Sequence, residues 1–245
     1  MRYKCVVMYD GSLFHGFQTQ KKGGCNLRTV QEELENTFKI IAKKNITIYP
    51  AGRTDALVHA YGQVFHVDLD FEMKEWQLKN ALNSRLPRDI YIKDVEIVSD
   101  DFHARFDALS KEYLYIIDLN EYNPLLDKYR YFYKHKLDID KMIEASKVFV
   151  GEHDFKSFTK NHKIENTVRT IYSIDFSFED NVLQIRFKGN GFLHNMVRII
   201  VAMLIEVGSG KKDIEYLKEA MDAKNRKFAP KTAPASALYL VKIEY

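Results

Sequence analysis

The hydrophobic pattern of the first hundred residues switches between a period of two and a period near 3.6 in a fixed order. That order constrains the fold more than any other feature of the chain. Residues 3–9 set Tyr3, Cys5, Val7 and Tyr9 on one face of a strand. Side chains two apart share a face in an extended chain, whereas those three or four apart share a helical stripe. After a turn-rich stretch from Asp10 to Gly24, Thr29 and Glu32 form a capping-box pattern, which satisfies amides left open in a first helical turn. The helix they open carries Val30, Leu34, Phe38 and Ile41 on one stripe. A short strand at 46–49, a polar loop over 51–60, a strand at 62–69, a helix near 74–84 and a strand at 90–98 follow. The order is β-α-β-β-α-β, the split unit of ferredoxin-like folds.

The second half repeats this pattern more loosely. A strand at 112–118 is followed by a helix over about 139–150, stopped by Gly151. Strands at 171–178 and 182–188 flank the turn Glu179-Asp180-Asn181. An apolar helix at 192–207 ends at Gly208, and a helix near 213–222 and a strand at 237–244 close the chain. No Pro/Gly/Ser linker separates the halves. The expectation is an α+β protein of two ferredoxin-like (RRM-like) halves, residues 1–105 and 106–245, with one continuous, mostly antiparallel sheet flanked by helices.

Composition removes several classes of function. A net charge of +3 excludes a uniformly cationic nucleic-acid coat but permits a basic cleft balanced by acidic surface. Cys5 and Cys25 are too few for a disulfide framework or a cysteine zinc site. The stretch Phe192 to Val207 is interrupted by His194, Asn195, Arg198 and Glu206, and is too short and too charged to span a bilayer. The beginning MRYKCVVMYDGS has no signal-peptide core. A cytoplasmic, soluble protein with no membrane association is expected.

Other chemistries are poorly supported. Gly208-Ser209-Gly210-Lys211-Lys212 lacks the first glycine of a phosphate loop and follows a helix, so it reads as a helix end. Gly189-Asn190-Gly191 precedes a helix whose positive end suits a phosphate, although a plain turn explains it equally. The histidines show no metal-ligand spacing, so no metal site is expected. Neither Ser12 nor Ser157 sits in a Gly-x-Ser-x-Gly elbow.

The segment Ala51 to Val64 decides the functional reading. It is small and polar, lies between two β-prone runs, and carries Arg53 and Asp55 two residues apart. Alone, Arg-x-Asp is an ordinary surface pair. Yet Gly52-Arg53-Thr54-Asp55-Ala56-Leu57-Val58-His59-Ala60 resembles the catalytic signature of TruA-type pseudouridine synthases at every position but Leu57, where that family has glycine. Further motifs of the family recur in order. They are Tyr9-Asp10-Gly11 with Phe14-His15-Gly16-Phe17-Gln18, then Phe102-His103-Ala104-Arg105-Phe106 with Lys111-Glu112-Tyr113-Leu114-Tyr115. Gly151-Glu152-His153-Asp154-Phe155, Gly191-Phe192-Leu193-His194-Asn195-Met196-Val197-Arg198 and Ala233-Pro234-Ala235-Ser236-Ala237-Leu238 complete the set, with Ala237 in place of a usual glycine.

The resemblance implies the pseudouridine synthase fold and a cofactor-free isomerase. In it Asp55 attacks the target nucleotide at C6 of uracil or C1′ of ribose, and the two routes stay open. A carboxylate is ionised at neutral pH without a partner base. Arg198 sits among apolar helical neighbours, where an unpaired charge is costly, and the resemblance makes Asp55 its partner. Tyr113 matches the tyrosine that stacks on the extruded uracil, and Arg53 an arginine that enters the RNA stem. Tyr115 reads as core. His59 reads as an RNA contact or a packing residue, and Gln63 as a possible RNA contact. Basic residues near the motifs, among them Lys21, Lys22, Arg105, Lys160, Arg169 and Lys188, suit phosphate contacts. The implied partner is the anticodon stem-loop of tRNA at positions 38 to 40, bound by a homodimer. The rivals are the same chemistry on ribosomal RNA and a non-catalytic RNA-binding protein that keeps the fold.

Overall fold

The computed structural model describes residues 1–161 and 163–245; His162 and the side chain of Lys22 lie outside the described residues. The chain groups into two compact units, Met1–Leu109 with Tyr239–Tyr245, and Ser110–Leu238. Both are α+β, with mostly antiparallel strands flanked by helices. The grouping differs from a simple division at 105 because the final strand belongs with the first unit.

In the first unit the elements are β1 (Arg2–Tyr9), β2 (Gln20–Lys22), β3 (Cys25–Leu27), α1 (Val30–Ala42), β4 (Ile48–Pro50), β5 (His59–Asp68), α2 (Glu75–Asn83) and β6 (Ile90–Val98). β1 pairs antiparallel with β6 on one side and β5 on the other, and β4 pairs antiparallel with β5. The order β6-β1-β5-β4 is that of a split β-α-β unit, as the periodicities require. Tyr3, Cys5, Val7 and Tyr9 are all buried, which confirms the face assigned to β1. Thr29 caps α1 by accepting the Glu32 amide at 3.3 Å, but the box is only half built: Glu32 accepts instead from Asn26 Nδ2 at 2.7 Å. β5 begins at His59 rather than 62, and its pairing with β1 reaches Ala60.

In the second unit the elements are β7 (Ser110–Asp118), β8 (Tyr131–Phe132), α3 (Ile139–Ser146), β9 (Gly151–Asp154), β10 (Val168–Glu179), β11 (Val182–Gly189), α4 (Met196–Gly208) and α5 (Ile214–Asp222). Its strands run β7-β11-β10-β9, each pair antiparallel, with β8 parallel to β7. The helix expected over 192–207 starts only at Met196. Asn195 occupies its N-cap in the left-handed region at φ 64°, so Phe192 to Asn195 lie in the approach to the helix. Every α4 residue except Arg198 and Glu206 is buried. The helix expected over 139–150 ends at Ser146 and continues as a tight turn through Phe149. β12 (Leu238–Glu244) follows and returns to the first unit, pairing parallel with β5 through Tyr239↔His59 and Leu240↔Ala60.

A buried histidine sits in the first unit's core. His66 is 2% exposed, stacks on Tyr49 at 4.9 Å and accepts the Ala104 amide at Nδ1 (3.2 Å). Burial first, then the charge of Arg2, pulls its pKa down to about 4. A base depressed in the folded state binds fewer protons there than in the unfolded chain, so its contribution is complete above the ordinary value and is lost as pH falls through the folded one. The unfolding free energy from urea titrations is therefore expected to drop between about pH 6.5 and pH 4, by at most about 1.4 kcal/mol per pH unit from this group. The slope should flatten in His66→Gln, and an unchanged slope in that variant would rule out His66 as its source.

Candidate active site

The polar loop between β4 and β5 is held by its backbone and by one buried hydroxyl. Thr54 is buried, and its Oγ1 lies 2.8 Å from the Tyr9 hydroxyl at the end of β1. Burial drives the Tyr9 pKa upward against the opposing bonds from Thr54 and Gln63, so the phenol stays neutral. Gln63 is fully buried on β5: its Nε2 donates to the Gly52 carbonyl at 3.0 Å, and its Oε1 accepts the Val64 amide at 3.0 Å. A buried amide satisfied on both sides fixes the loop it bonds. Gln63 is thus a support of the loop and not an exposed RNA contact.

The segment 10–17 packs against the loop backbone to backbone. Phe17 N donates to Thr54 O at 3.2 Å and Leu57 N to Phe14 O at 3.3 Å. Contact this close leaves no space for side chains. A Cβ on Gly11 would fall 2.1 Å from the Val58 carbonyl oxygen, and one on Gly16 2.8 Å from the Thr54 oxygen. Gly16 also has φ +95°, a conformation glycine adopts readily. These contacts explain why the Tyr9-Asp10-Gly11 and Phe14 to Gln18 motifs accompany the loop.

Within this frame Arg53 is exposed and Asp55 half-buried, while Val58 N closes the turn onto Asp55 O at 3.2 Å. His59 is buried. Its Nδ1 lies 3.0 Å from the Gly11 amide nitrogen and 3.3 Å from Asp10 Oδ1, and its ring stacks on Tyr239 at 4.7 Å. The packing reading of His59 holds.

Leu57 has φ +68°. A leucine there carries about 1–2 kcal/mol of strain. Glycine would relieve it but costs about 0.5–1 kcal/mol in chain entropy. Leu57 is also 44% exposed, and the half that is covered contributes about 1 kcal/mol. These terms nearly cancel. Leu57→Gly is expected to keep the loop's course, retain turnover and change stability by less than about 1 kcal/mol; a larger loss in thermal unfolding would show that the leucine side chain packs into the site.

The second unit carries the other two residues named from the sequence. Tyr113 on β7 is half-buried, its ring edge-on to Phe192 at 5.2 Å. Arg198, near the start of α4, donates from Nε to Ala233 O at 2.8 Å, and its own carbonyl accepts the Ala233 amide at 3.0 Å. The Nε bond orients the guanidinium, and the backbone bond ties Ala233 to α4. Tyr115 is fully buried, and its hydroxyl donates to Pro234 O at 2.9 Å. Burial raises its pKa, with the charge of Arg198 opposing. The Ala233-Pro234 segment therefore receives both side chains, and Tyr115 is a core residue.

A family model described as tRNA pseudouridine synthase matches residues 5–107 and 145–245. The chain belongs to this family. The tRNA pseudouridine synthase A of Geobacillus sp. (strain WCH70) is 46% identical over 247 residues, spanning 100% of this chain and 98% of that protein. The tRNA pseudouridine synthase A of Bacillus subtilis (strain 168) is 41% identical over 249 residues, spanning 100% and 99%. That of Streptococcus agalactiae serotype Ia is 45% identical over 249 residues, spanning 100% and 95%. The family match includes Arg53, Asp55 and Arg198 but not 108–144, where Tyr113 lies.

Tyr9 and Thr54 stand in two of the motifs, but the sequence does not show that they support the loop together. Their contact joins residues 45 apart, and nothing in local periodicity links them. Gln63 carried the opposite signal, since an amide beside a polar loop reads as exposed.

Proposed function

We propose that this chain isomerises uridine to pseudouridine in the anticodon stem-loop of tRNA, at positions 38 to 40, with Asp55 as nucleophile. The observation that carries the reading is the loop Ala51–Val58. It presents a half-buried carboxylate from a backbone pinned by Tyr9, Thr54, Gln63 and the glycines of segment 10–17. A nucleophile must be held in a near-attack position, and this loop has little freedom to leave it.

In this reading Asp55 bonds to the target nucleotide and the N1–C1′ bond breaks. The uracil turns, C5 bonds to C1′, the bond to Asp55 breaks, the C5 proton leaves to solvent and N1 takes up a proton. No electrons are gained or lost. Arg198 is the cation that keeps Asp55 ionised and oriented, and its Nε bond to Ala233 O holds the side chain for that role. Tyr113 stacks on the extruded base, an interaction worth about 1–3 kcal/mol. Arg53, exposed beside the nucleophile, enters the RNA stem and offsets part of the few kcal/mol that base extrusion costs. The protein acts as a homodimer in the cytoplasm.

The test is tritium release from RNA labelled at uracil C5. Release from unmodified tRNA that disappears when uridines 38 to 40 are replaced by cytidine is the expected result. Release from ribosomal RNA alone would keep the chemistry and move the target. No release from either would leave an RNA-binding protein.

A further inference from the structure

The second unit holds a cavity of about 160 Å³, lined by Lys156, Thr159, Asn161, Thr167, Lys224 and Arg226 among others. At about 30 Å³ per water it has room for roughly five waters, and so for a phosphate-sized group. Its lining mixes polar groups with apolar surface, Ile164 included, and is net cationic. Of the three cations, Lys224 is paired with Asp154 at 3.1 Å.

Arg226 stands out. Its Nη2 donates to the Pro230 and Lys231 carbonyls, both at 3.1 Å, and to Thr232 Oγ1 at 2.9 Å. Its Nε and Nη1 are shielded from solvent and meet no acceptor among the described residues. Arg2 and Arg28 face carboxylates that raise their pKa values. Burial lowers that of Arg226, with no carboxylate offsetting it. The adjoining backbone is set firmly: Lys224 is held at φ +46°, and Asn225 N donates to Ser157 Oγ at 2.7 Å. The rim thus carries a guanidinium with two idle donor nitrogens that face different ways, and each suits an oxyanion as acceptor.

We propose that this cavity is an oxyanion pocket, and that it takes a backbone phosphate of the RNA substrate. The pocket's assignment to RNA rests on the function proposed above. Arg226 gives the entering anion one of its idle donors, Nε–H or Nη1–H, with Lys156 at the mouth. The sites of Asp55, Tyr113 and Arg198 share no residue with this lining.

The test measures binding of unmodified tRNA by fluorescence anisotropy between about 50 and 200 mM salt, using the full chain, Lys156→Gln, Arg226→Gln and the double variant. Each single substitution is expected to lower the slope of log K against log salt by about one, and the double variant by about two. Lys156 is exposed, so its variant reports even if Arg226→Gln fails to fold. A parallel arm follows the Tm with inorganic phosphate. A phosphate-dependent rise that is lost in Lys156→Gln, with unchanged tRNA slopes, keeps the pocket and assigns it to free phosphate. Unchanged slopes together with no such rise overturn it. A responsive pocket in a protein that releases no tritium from any RNA would sink the proposed function and leave the pocket standing.

Discussion

Asp55→Asn is expected to cut tritium release below about one per cent of wild type while leaving the Tm and the affinity for tRNA close to those of the parent. The two halves of that result have separate causes. The loop's course is set by the Thr54 hydroxyl, the Gln63 amide and backbone bonds such as Val58 N to Asp55 O, all of which asparagine at 55 leaves in place. The amide is neutral and a far weaker nucleophile, and loss of a covalent nucleophile removes several orders of magnitude in rate. Residual release above about one per cent would remove Asp55 from that role. A large fall in Tm would show that its carboxylate also holds the structure.

Gly11→Ala should be the most damaging single-methyl change near the site. The added carbon would lie 2.1 Å from the Val58 oxygen, and both partners are backbone, so no side-chain rotation relieves the clash. Either β1 or the loop has to move by about 1 Å. Overpacking of this kind costs about 3 kcal/mol or more, which corresponds to a fall in Tm of about 6–12 °C for a protein of this size. The Gly11 amide also donates to His59 Nδ1, so the shift disturbs the ring that stacks on Tyr239. A displacement of about 1 Å at a nucleophile costs roughly a hundredfold in rate. Turnover is therefore expected to fall even below the melting transition. A variant melting within about 2 °C of the parent with full activity would contradict the packing described.

Much of this architecture was readable in advance, for identifiable reasons. β1 alternates because one face is buried, and α1 begins at Thr29 because a hydroxyl there is the cheapest way to satisfy a helix-end amide. The start of β5 was harder to see: from His59 to Val67 only Tyr61 is exposed, so a strand covered on both faces has no period of two to display. The apolar run from Phe192 looked helical throughout, and only the left-handed Asn195 reveals where α4 begins. The loop that carries Asp55 could be located because its residues match a family motif. What holds it could not, since Tyr9, Thr54 and Gln63 meet only through the folded chain. The φ of Leu57 was equally hidden, because leucine is a residue type that propensity would never place there.

The parallel pairing of β12 with β5 bears on the order in which the protein is made. Tyr239 stacks between His59 at 4.7 Å and Tyr61 at 5.2 Å, and Leu240 pairs with Ala60. These contacts span 180 residues, from His59 to Tyr239. At about 5–20 residues per second, a ribosome takes roughly 10–40 s to deliver the missing strand. The unit that emerges first is therefore completed last, and during that interval the edge of β5 beside the Asp55 loop is an open template for strand addition, to be guarded until its own partner arrives.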